Sequence, residues 1–390
     1  MFSSRLPARL APNAWSEAVA RARGSGRPLY DLTETNPTTV GLPYPPALAS
    51  SLATIDALTY APHPRGLQSA RDAVAADYAR RGIAVPPDAI VLTASTSEAY
   101  SLLFRLLCDP GDDVLVPQPS YPLFDLLLQL DAVRPAPYRL EYHGRWSIDR
   151  ASLIRALTPR SRAVLVVSPN NPTGSFLRAA DRDWLAGLCA SRGLALIVDE
   201  VFAEYPLSPA ADASPVTSEP RVLTFSLGGL SKSVCLPQMK LAWMIASGPA
   251  DDVARAFERI DVIANTYLSV STPIQLAAPA CLELGAGVRQ AALARVQTNL
   301  DALRCAAQAR PAVTLLEPEG GWAAVLRVPA VESEESLVLR ALAEADVVVQ
   351  PGYFFDFEDE AYLVVSLLPA PSTFSAGIRR LLEILKGVGE

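Results

Sequence analysis

The sequence predicts an α/β protein of two lobes: a large one whose mostly parallel sheet is flanked by helices, and a smaller α+β lobe at the C-terminal end. Three observations predict it. At 390 residues the chain exceeds what one hydrophobic core usually holds. Short apolar runs alternate with helix-length segments through residues 46–273. Beyond Pro273 the order changes to a long helix followed by isolated strands and two further helices.

Residues 1–45 read as an arm that joins the small lobe. A short helix covers Asn13 to Gly24, and Leu29-Tyr-Asp-Leu-Thr then leads into the turn-rich Glu34-Thr-Asn-Pro-Thr. In residues 46–273 the strand-like runs are Ile90-Val-Leu-Thr, Asp113-Val-Leu-Val-Pro, Ala163-Val-Leu-Val-Val, Leu194-Ala-Leu-Ile-Val, Val222-Leu-Thr-Phe and Leu241-Ala-Trp-Met-Ile. Several are apolar without alternation, as strands covered on both faces must be. Between them, Ser97 to Leu107 and Arg182 to Arg192 have the length and period of crossover helices. Residues 274–390 form the small lobe. An Ala/Leu/Arg helix over about 274–309 precedes Val313-Thr-Leu-Leu and Trp322-Ala-Ala-Val-Leu-Arg-Val. A helix near 334–345, strands at Val347-Val-Val-Gln and Tyr362-Leu-Val-Val-Ser-Leu, and a last helix complete it. In such a fold a ligand sits at the carboxyl ends of the large-lobe strands.

Composition excludes several classes. Half the residues are hydrophobic and 19% are charged, as in folded globular chains. A formal net charge of −7 argues against nucleic acid as a partner, because phosphate binding needs a basic surface. No apolar run reaches the roughly 18 residues of a membrane span. The five cysteines are scattered without a CxxC pair, which points to reduced thiols in the cytoplasm. With only His63 and His143, neither a histidine-rich metal site nor a Ser-His-Asp triad finds support. The first 24 residues hold four arginines and one acid, a balance also found in transit peptides; we read them as a surface helix at the mouth of a lobe.

Lysine is used sparingly: of 34 basic residues only Lys232, Lys240 and Lys386 are lysines. The first ends the segment Ser226-Leu-Gly-Gly-Leu-Ser-Lys232, where a Gly-Gly turn after a strand would let a ligand approach the backbone. Its amine can condense with an aldehyde cofactor and then shuttle a proton at a substrate's α-carbon. Taken alone, this segment also fits a lysine in a surface loop. Leu196-Ile-Val-Asp199-Glu200 sets an acid at the end of a buried strand, a costly position unless the acid is paired. Pyridoxal 5′-phosphate (PLP) needs such an acid to keep its ring nitrogen protonated, so that the ring draws electrons. A cap for the next turn is the other reading, and Asp199 is preferred to Glu200 because it lies nearer the strand.

Three further segments complete the constellation. Ser168-Pro-Asn-Asn-Pro-Thr-Gly174 fixes a turn after another buried strand and would present the Asn171 amide, although an ordinary turn has the same composition. Leu92-Thr-Ala-Ser95-Thr96-Ser97-Glu98 lies between a strand and a helix start, where N–H groups and hydroxyls make a phosphate seat; simple capping requires only one of the three hydroxyls. Pro119-Ser-Tyr121-Pro brings an aromatic ring that can stack on a planar cofactor or merely pack.

In this order Thr93-Ala-Ser-Thr-Ser-Glu-Ala, Pro119-Ser-Tyr, Asn170-Asn-Pro-Thr-Gly, Asp199-Glu and Ser231-Lys232 resemble the class I/II aminotransferases of PLP fold type I. The resemblance covers nearly the whole chain, from Asn36-Pro37 to Ser366. It implies that Lys232 is the Schiff-base lysine and Asp199 the partner of the pyridine nitrogen. Asn171 would bond the 3′ oxygen and Tyr121 would stack on the ring, with Ser95, Thr96 and Ser97 around the phosphate. Tyr60, in Tyr60-Ala-Pro-His-Pro-Arg-Gly66, is similar to the tyrosine that reaches the phosphate of a neighbouring subunit. A homodimer with shared sites is implied, as are a small-molecule amino donor and a keto or aldehyde acceptor.

Four positions depart from the family pattern. Lys240 stands where an arginine is usual eight residues after the Schiff-base lysine; it can neutralise phosphate as a point charge but lacks the bidentate fork. Gly229 replaces a phosphate-binding serine, for which Ser231 or Ser226 would compensate. Phe202 replaces a tyrosine that would bond the 3′ oxygen. Val364 replaces the arginine that clamps the substrate carboxylate, so either another cation (Arg65 or Lys240) serves or the substrate is not an ordinary α-amino acid. Transamination is the leading reading. A PLP-dependent lyase, decarboxylase or synthase uses the same constellation, because fold and cofactor do not fix which α-carbon bond breaks. A regulatory PLP-binding domain would need a basic helix-turn-helix segment, and none precedes residue 45.

Overall fold

A computed structural model describes residues 2–7, 11–208 and 219–385. Its centre is an eight-stranded sheet. In chain order the strands of the protein are β1 (Tyr30–Asp31), β2 (Ile90–Thr93), β3 (Asp113–Gln118), β4 (Arg134–Tyr142), β5 (Trp146–Ile148), β6 (Ser161–Val167), β7 (Ala195–Asp199), β8 (Thr224–Gly229), β9 (Ala242–Ser247), β10 (Thr314–Leu316), β11 (Ala323–Arg327), β12 (Val347–Val348), β13 (Gln350–Pro351) and β14 (Tyr362–Ser366). The large sheet runs β2-β9-β8-β7-β6-β3-β4-β5. The neighbours from β8 through to β4 pair in parallel, while β9 and β5 run against their partners.

Both faces of this sheet are covered, which explains the apolar runs without alternation. Ile197 of β7 faces a cluster with Leu103, Leu165 and Phe225, while its neighbours Leu196 and Val198 face Leu153, Val164 and Leu185 on the other side. The helix Thr96–Leu107 buries Ala99, Leu102, Leu103 and Phe104 against the first cluster. Each fully buried Leu or Phe of that stripe contributes roughly 1.5–3 kcal/mol. Its start is fixed by a capping pair: Ser95 Oγ accepts the Glu98 N–H at 3.1 Å, and Glu98 Oε2 accepts the Ala94 N–H at 2.6 Å.

β4 is the element that periodicity misses, because Pro135 and Pro137 interrupt it. The Arg134 N–H points to β3, donating to Asp112 O at 2.8 Å, so the alternating prolines turn their missing donors away from β3. β5 pairs only with Leu140–Tyr142, and the proline-bearing half of β4 is therefore an open edge that needs no donor there.

The small antiparallel sheet has the order β10-β11-β14-β13, and β1 of the arm pairs in parallel with β12. The Val347-Val-Val-Gln run thus divides: Val347–Val348 joins the arm, while Gln350–Pro351 pairs with β14. The helix Thr272–Gln308 ties the two parts together. Its first turns, with Ile274, Ala277 and Cys281, pack beside β2 and β9, and its later turns, with Val288, Val296 and Leu303, pack on the small sheet. No helix among the described residues is long and apolar enough to cross a membrane.

Candidate active site

The carboxyl ends of β2, β3, β6, β7 and β8 open on one side, and the loops that leave them enclose a cavity of about 190 Å³. Asp199 closes β7 and is buried at the floor. Each of its oxygens has a donor: the Tyr100 hydroxyl lies 2.7 Å from Oδ2, and the Val201 N–H 3.0 Å from Oδ1. Burial pushes the Asp199 carboxyl above its ordinary value, while the two donors and the Lys232 charge pull it down.

Lys232 lies in the short helical turn Leu230–Ser233 that follows β8. Its Nζ sits 4.9 Å from the centre of the Trp322 ring and 5.4 Å from that of Phe202. This enclosure lowers the pKa of the amine, with Cys235 and Asp199 opposing the shift. A lowered lysine pKa favours the neutral, nucleophilic amine. The backbone beneath is held by Tyr205, whose hydroxyl donates to Lys232 O at 2.7 Å and lies 3.2 Å from Cys235 Sγ.

The two glycines before this turn have a different reason from the one expected. They are not a turn but the last two residues of β8, opposite Trp243 and Ala242 of β9. A Cβ at Gly228 would stand 2.4 Å from Trp243 Nε1, and one at Gly229 would stand 2.9 Å from Ala242 Cβ. Close approach of β9 explains Gly228; only Gly229 also lines the cavity.

Of the residues singled out from the sequence, Thr96, Ser97, Tyr121, Asn171, Asp199, Ser231 and Lys232 line this one cavity. Thr96 and Ser97 open the helix Thr96–Leu107, where the first N–H groups have no acceptor within the helix. The neighbouring asparagines divide their tasks. Asn170 is buried and ties loops together, through Ser120 Oγ at 3.0 Å, Pro119 O at 3.1 Å and Thr173 Oγ1 at 2.9 Å. Both line the cavity, and Asn171 is the less buried of the two.

Ser95, Tyr60 and Lys240 do not line the cavity. The Ser95 hydroxyl is engaged as the helix cap. Tyr60 is 78% exposed in a loop outside it. Lys240 is exposed in a left-handed conformation with φ of 51°. Ser226 is buried within β8, away from the cavity, so of the two serines offered for the role only Ser231 is placed for it. The third lysine, Lys386, lies outside the described residues.

No arginine lines the cavity among the described residues; Lys232 is its one basic side chain. Val364 packs with Trp146, Leu316, Val325 and Phe355 in a separate apolar cluster. Arg65 is held bidentately by Asp261 at 2.7 Å through both Nε and Nη2, over the Phe257 ring. That engagement removes it as a carboxylate clamp for this chain's own cavity.

Sequence reasoning missed Tyr100, Tyr205, Trp322 and Thr35. Tyr100 and Asp199 are 99 positions apart, and the tyrosine looks like part of the apolar stripe of its helix. The only signal was one hydroxyl on that stripe. Tyr205 stands three residues after Phe202, and its task is to hold the backbone of the lysine turn.

The arrangement can hold a phosphorylated aldehyde of the pyridine type. It offers an amine made nucleophilic by burial, an acid at the floor, hydroxyls at a helix N-terminus and an aromatic ring in the wall.

Comparison with known proteins agrees. The family model for aminotransferase class I and II matches residues 38–374. An alanine aminotransferase of Mycobacterium tuberculosis is 27% identical over 382 residues, covering 94% of this chain and 88% of the relative. The glutamate-pyruvate aminotransferase AlaA of Escherichia coli is 23% identical over 330 residues, covering 83% of this chain and 82% of the relative. The alanine aminotransferase structure from Pyrococcus furiosus superposes with a TM-score of 0.88 at 24% identity, over 99% of this chain and 100% of the other.

Proposed function

We propose, since this chain belongs to the class I and II aminotransferases, a family that uses PLP, that it moves an amino group from a small amino donor to a keto or aldehyde acceptor with Lys232 as the cofactor-bearing and proton-carrying residue. The family match and the relatives named as aminotransferases together support aminotransferase activity ahead of the lyase, decarboxylase, synthase and regulatory readings. The observation that carries the residue assignment is the meeting of Lys232 and Asp199 in one cavity.

When bound, PLP supplies an aldehyde that condenses with amines and a ring that accepts electrons from the α-carbon. The chain's own residues do the rest. Lys232 Nζ, freed when the donor arrives, would take the α-proton and return it to the carbon that was the cofactor's aldehyde carbon, C4′. Asp199 holds the ring nitrogen's proton by its charge, at no cost in reorganisation during the reaction. Thr96, Ser97 and Ser231 seat the phosphate, Asn171 donates to the ring oxygen and Tyr121 stacks on the ring. Ser95 contributes by fixing the helix start. Lys240 and Tyr60 enter as groups near the phosphate, Tyr60 from the second copy of a homodimer; its exposure supports that role.

Alanine is the first donor to test, with a keto acid as acceptor, by likeness to relatives named for alanine and for glutamate with pyruvate. The division into residues 1–45, 46–273 and 274–390 belongs to the same proposal, supported by the arm strand that pairs with β12 and by the helix starting at Thr272. So does a cytoplasmic setting, supported by five free cysteines.

Borohydride reduction of the purified holoprotein followed by peptide mapping tests the central assignment. A pyridoxyl group on Lys232 is expected. A group on another residue, or turnover by Lys232→Ala near the wild-type rate, would sink it.

A further inference from the structure

The helix Thr96–Leu107 does more than present hydroxyls at its first turn. One turn further in, it carries Tyr100, and the Tyr100 hydroxyl reaches the carboxylate at the cavity floor. One rigid element therefore touches both the expected phosphate seat and the acid assigned to the ring nitrogen, about one helical pitch of roughly 5.4 Å apart along the axis.

We propose that Tyr100 is a positioning residue: by donating 2.7 Å to Asp199 Oδ2 it fixes the plane of that carboxylate and holds it as an anion towards the cofactor's ring nitrogen. The inference rests on the reading of Asp199 given above and goes beyond it in naming what makes the acid effective.

Four observations carry it. The two Asp199 oxygens receive one donor each, Tyr100 on Oδ2 and the Val201 N–H on Oδ1, so rotation of the carboxylate breaks one bond or the other. The Tyr100 ring cannot swing aside. It is buried, stacked on Phe104 at 6.0 Å and set edge-on to Phe124 at 5.4 Å. The helix cannot slide along its axis, because Ser95 and Glu98 lock its first turn. Finally, among the described residues the ionisable side chains set against Asp199 are Tyr100 from this helix, Tyr121 from the segment after β3 and Lys232 from the turn after β8. Lys232 is assigned to the aldehyde, which leaves Tyr100 as the side-chain donor that stays with Asp199 through the reaction, beside the Val201 N–H. A carboxylate oxygen accepts two hydrogen bonds, so the tyrosine leaves a lone pair for the ring nitrogen.

The test uses two ligands and two proteins. PLP and its 1-deaza analogue, in which CH replaces the ring nitrogen, are titrated into apoprotein of the wild type and of Tyr100→Phe, with cofactor fluorescence as the readout. Wild type should bind PLP more tightly than the analogue. Tyr100→Phe should reduce that preference by about tenfold, the strength of one charge-assisted hydrogen bond, and leave the affinity for the analogue near the wild-type value. Loosened packing alone would weaken both ligands by the same factor, and that result, like an unchanged preference, would overturn the proposal. Unaltered analogue binding also reports that the variant folds. If the wild type itself shows no preference for PLP, the assignment of Asp199 fails first and the role of Tyr100 falls with it.

Discussion

Replacing Gly228 by alanine should destabilise the protein and loosen the lysine turn, through a single methyl group. Gly228 pairs with Trp243 across β8 and β9, and an added Cβ would meet the indole at 2.4 Å from Nε1, 2.8 Å from Cε2 and 3.1 Å from Cζ2. The indole has nowhere to retreat. It is 2% exposed, packed with Leu92 and Ile245, and its N–H donates to the Tyr78 hydroxyl at 3.2 Å. Overpacking of this kind costs about 1–3 kcal/mol, and losing the buried indole hydrogen bond adds about 1 kcal/mol. The expected total is about 2–4 kcal/mol, a large share of an ordinary domain's stability. Urea unfolding of the apoprotein, followed by tryptophan fluorescence, measures it as a lower midpoint at unchanged slope. Gly187→Ala is the control: it lies within the helix Ala179–Arg192 with nothing near an added Cβ, and should gain about 0.5–1 kcal/mol. Because Lys232 follows β8 directly, the Gly228 variant should also capture PLP more slowly. A Gly228→Ala protein as stable as the wild type would refute the steric reasoning.

Four other outcomes are expected. Asp199→Ala should weaken PLP binding and turnover together, by roughly 10- to 100-fold in binding; wild-type rates would mean that Glu200 or another acid serves. The same carboxyl has a folded pKa raised by burial, so its contribution to apoprotein stability is present below the unfolded value near 4 and is lost as pH rises through the folded one. A wild-type apoprotein that does not lose stability relative to Asp199→Ala over that rise would contradict it. Burial lowers the Lys232 pKa, so capture of PLP by apoprotein should slow as pH falls through a midpoint below the free-lysine value of about 10.4; stopped-flow absorbance measures it, and a midpoint at or above that value would count against the enclosed amine. With Val364 in an apolar cluster and no arginine lining the cavity among the described residues, the donor carboxylate should matter less than in a guanidinium clamp. Exchanging alanine for ethylamine should lower kcat/KM by less than the roughly 30-fold that losing a partner of a buried charge pair costs at minimum; a larger drop would reveal a carboxylate clamp that this cavity does not supply by itself.

Much of the fold was legible because its signals are local. The buried strands announce themselves by runs such as Val164-Leu-Val-Val and Leu196-Ile-Val, and the helix after β2 by its cap and apolar stripe. The placement of Lys232, Asp199 and Asn171 was legible for the same reason: each ends or follows a strand in a segment of unusual composition. β4 was not, because its two prolines contradict a strand until the open edge beside them is known.

What the sequence by itself determined, then, is the order of elements and the chemical types placed at the strand ends, since both depend on neighbours a few positions away. The tertiary structure alone decided which of those groups meet. It tied the Asn170 amide into the loop framework, engaged Ser95 as a cap, tied Arg65 to Asp261, and brought Tyr100 across 99 positions to Asp199. The physical reason is that burial and hydrogen-bond geometry are properties of three-dimensional proximity, and a hydroxyl on an apolar helix face carries no mark of the partner that packing will give it.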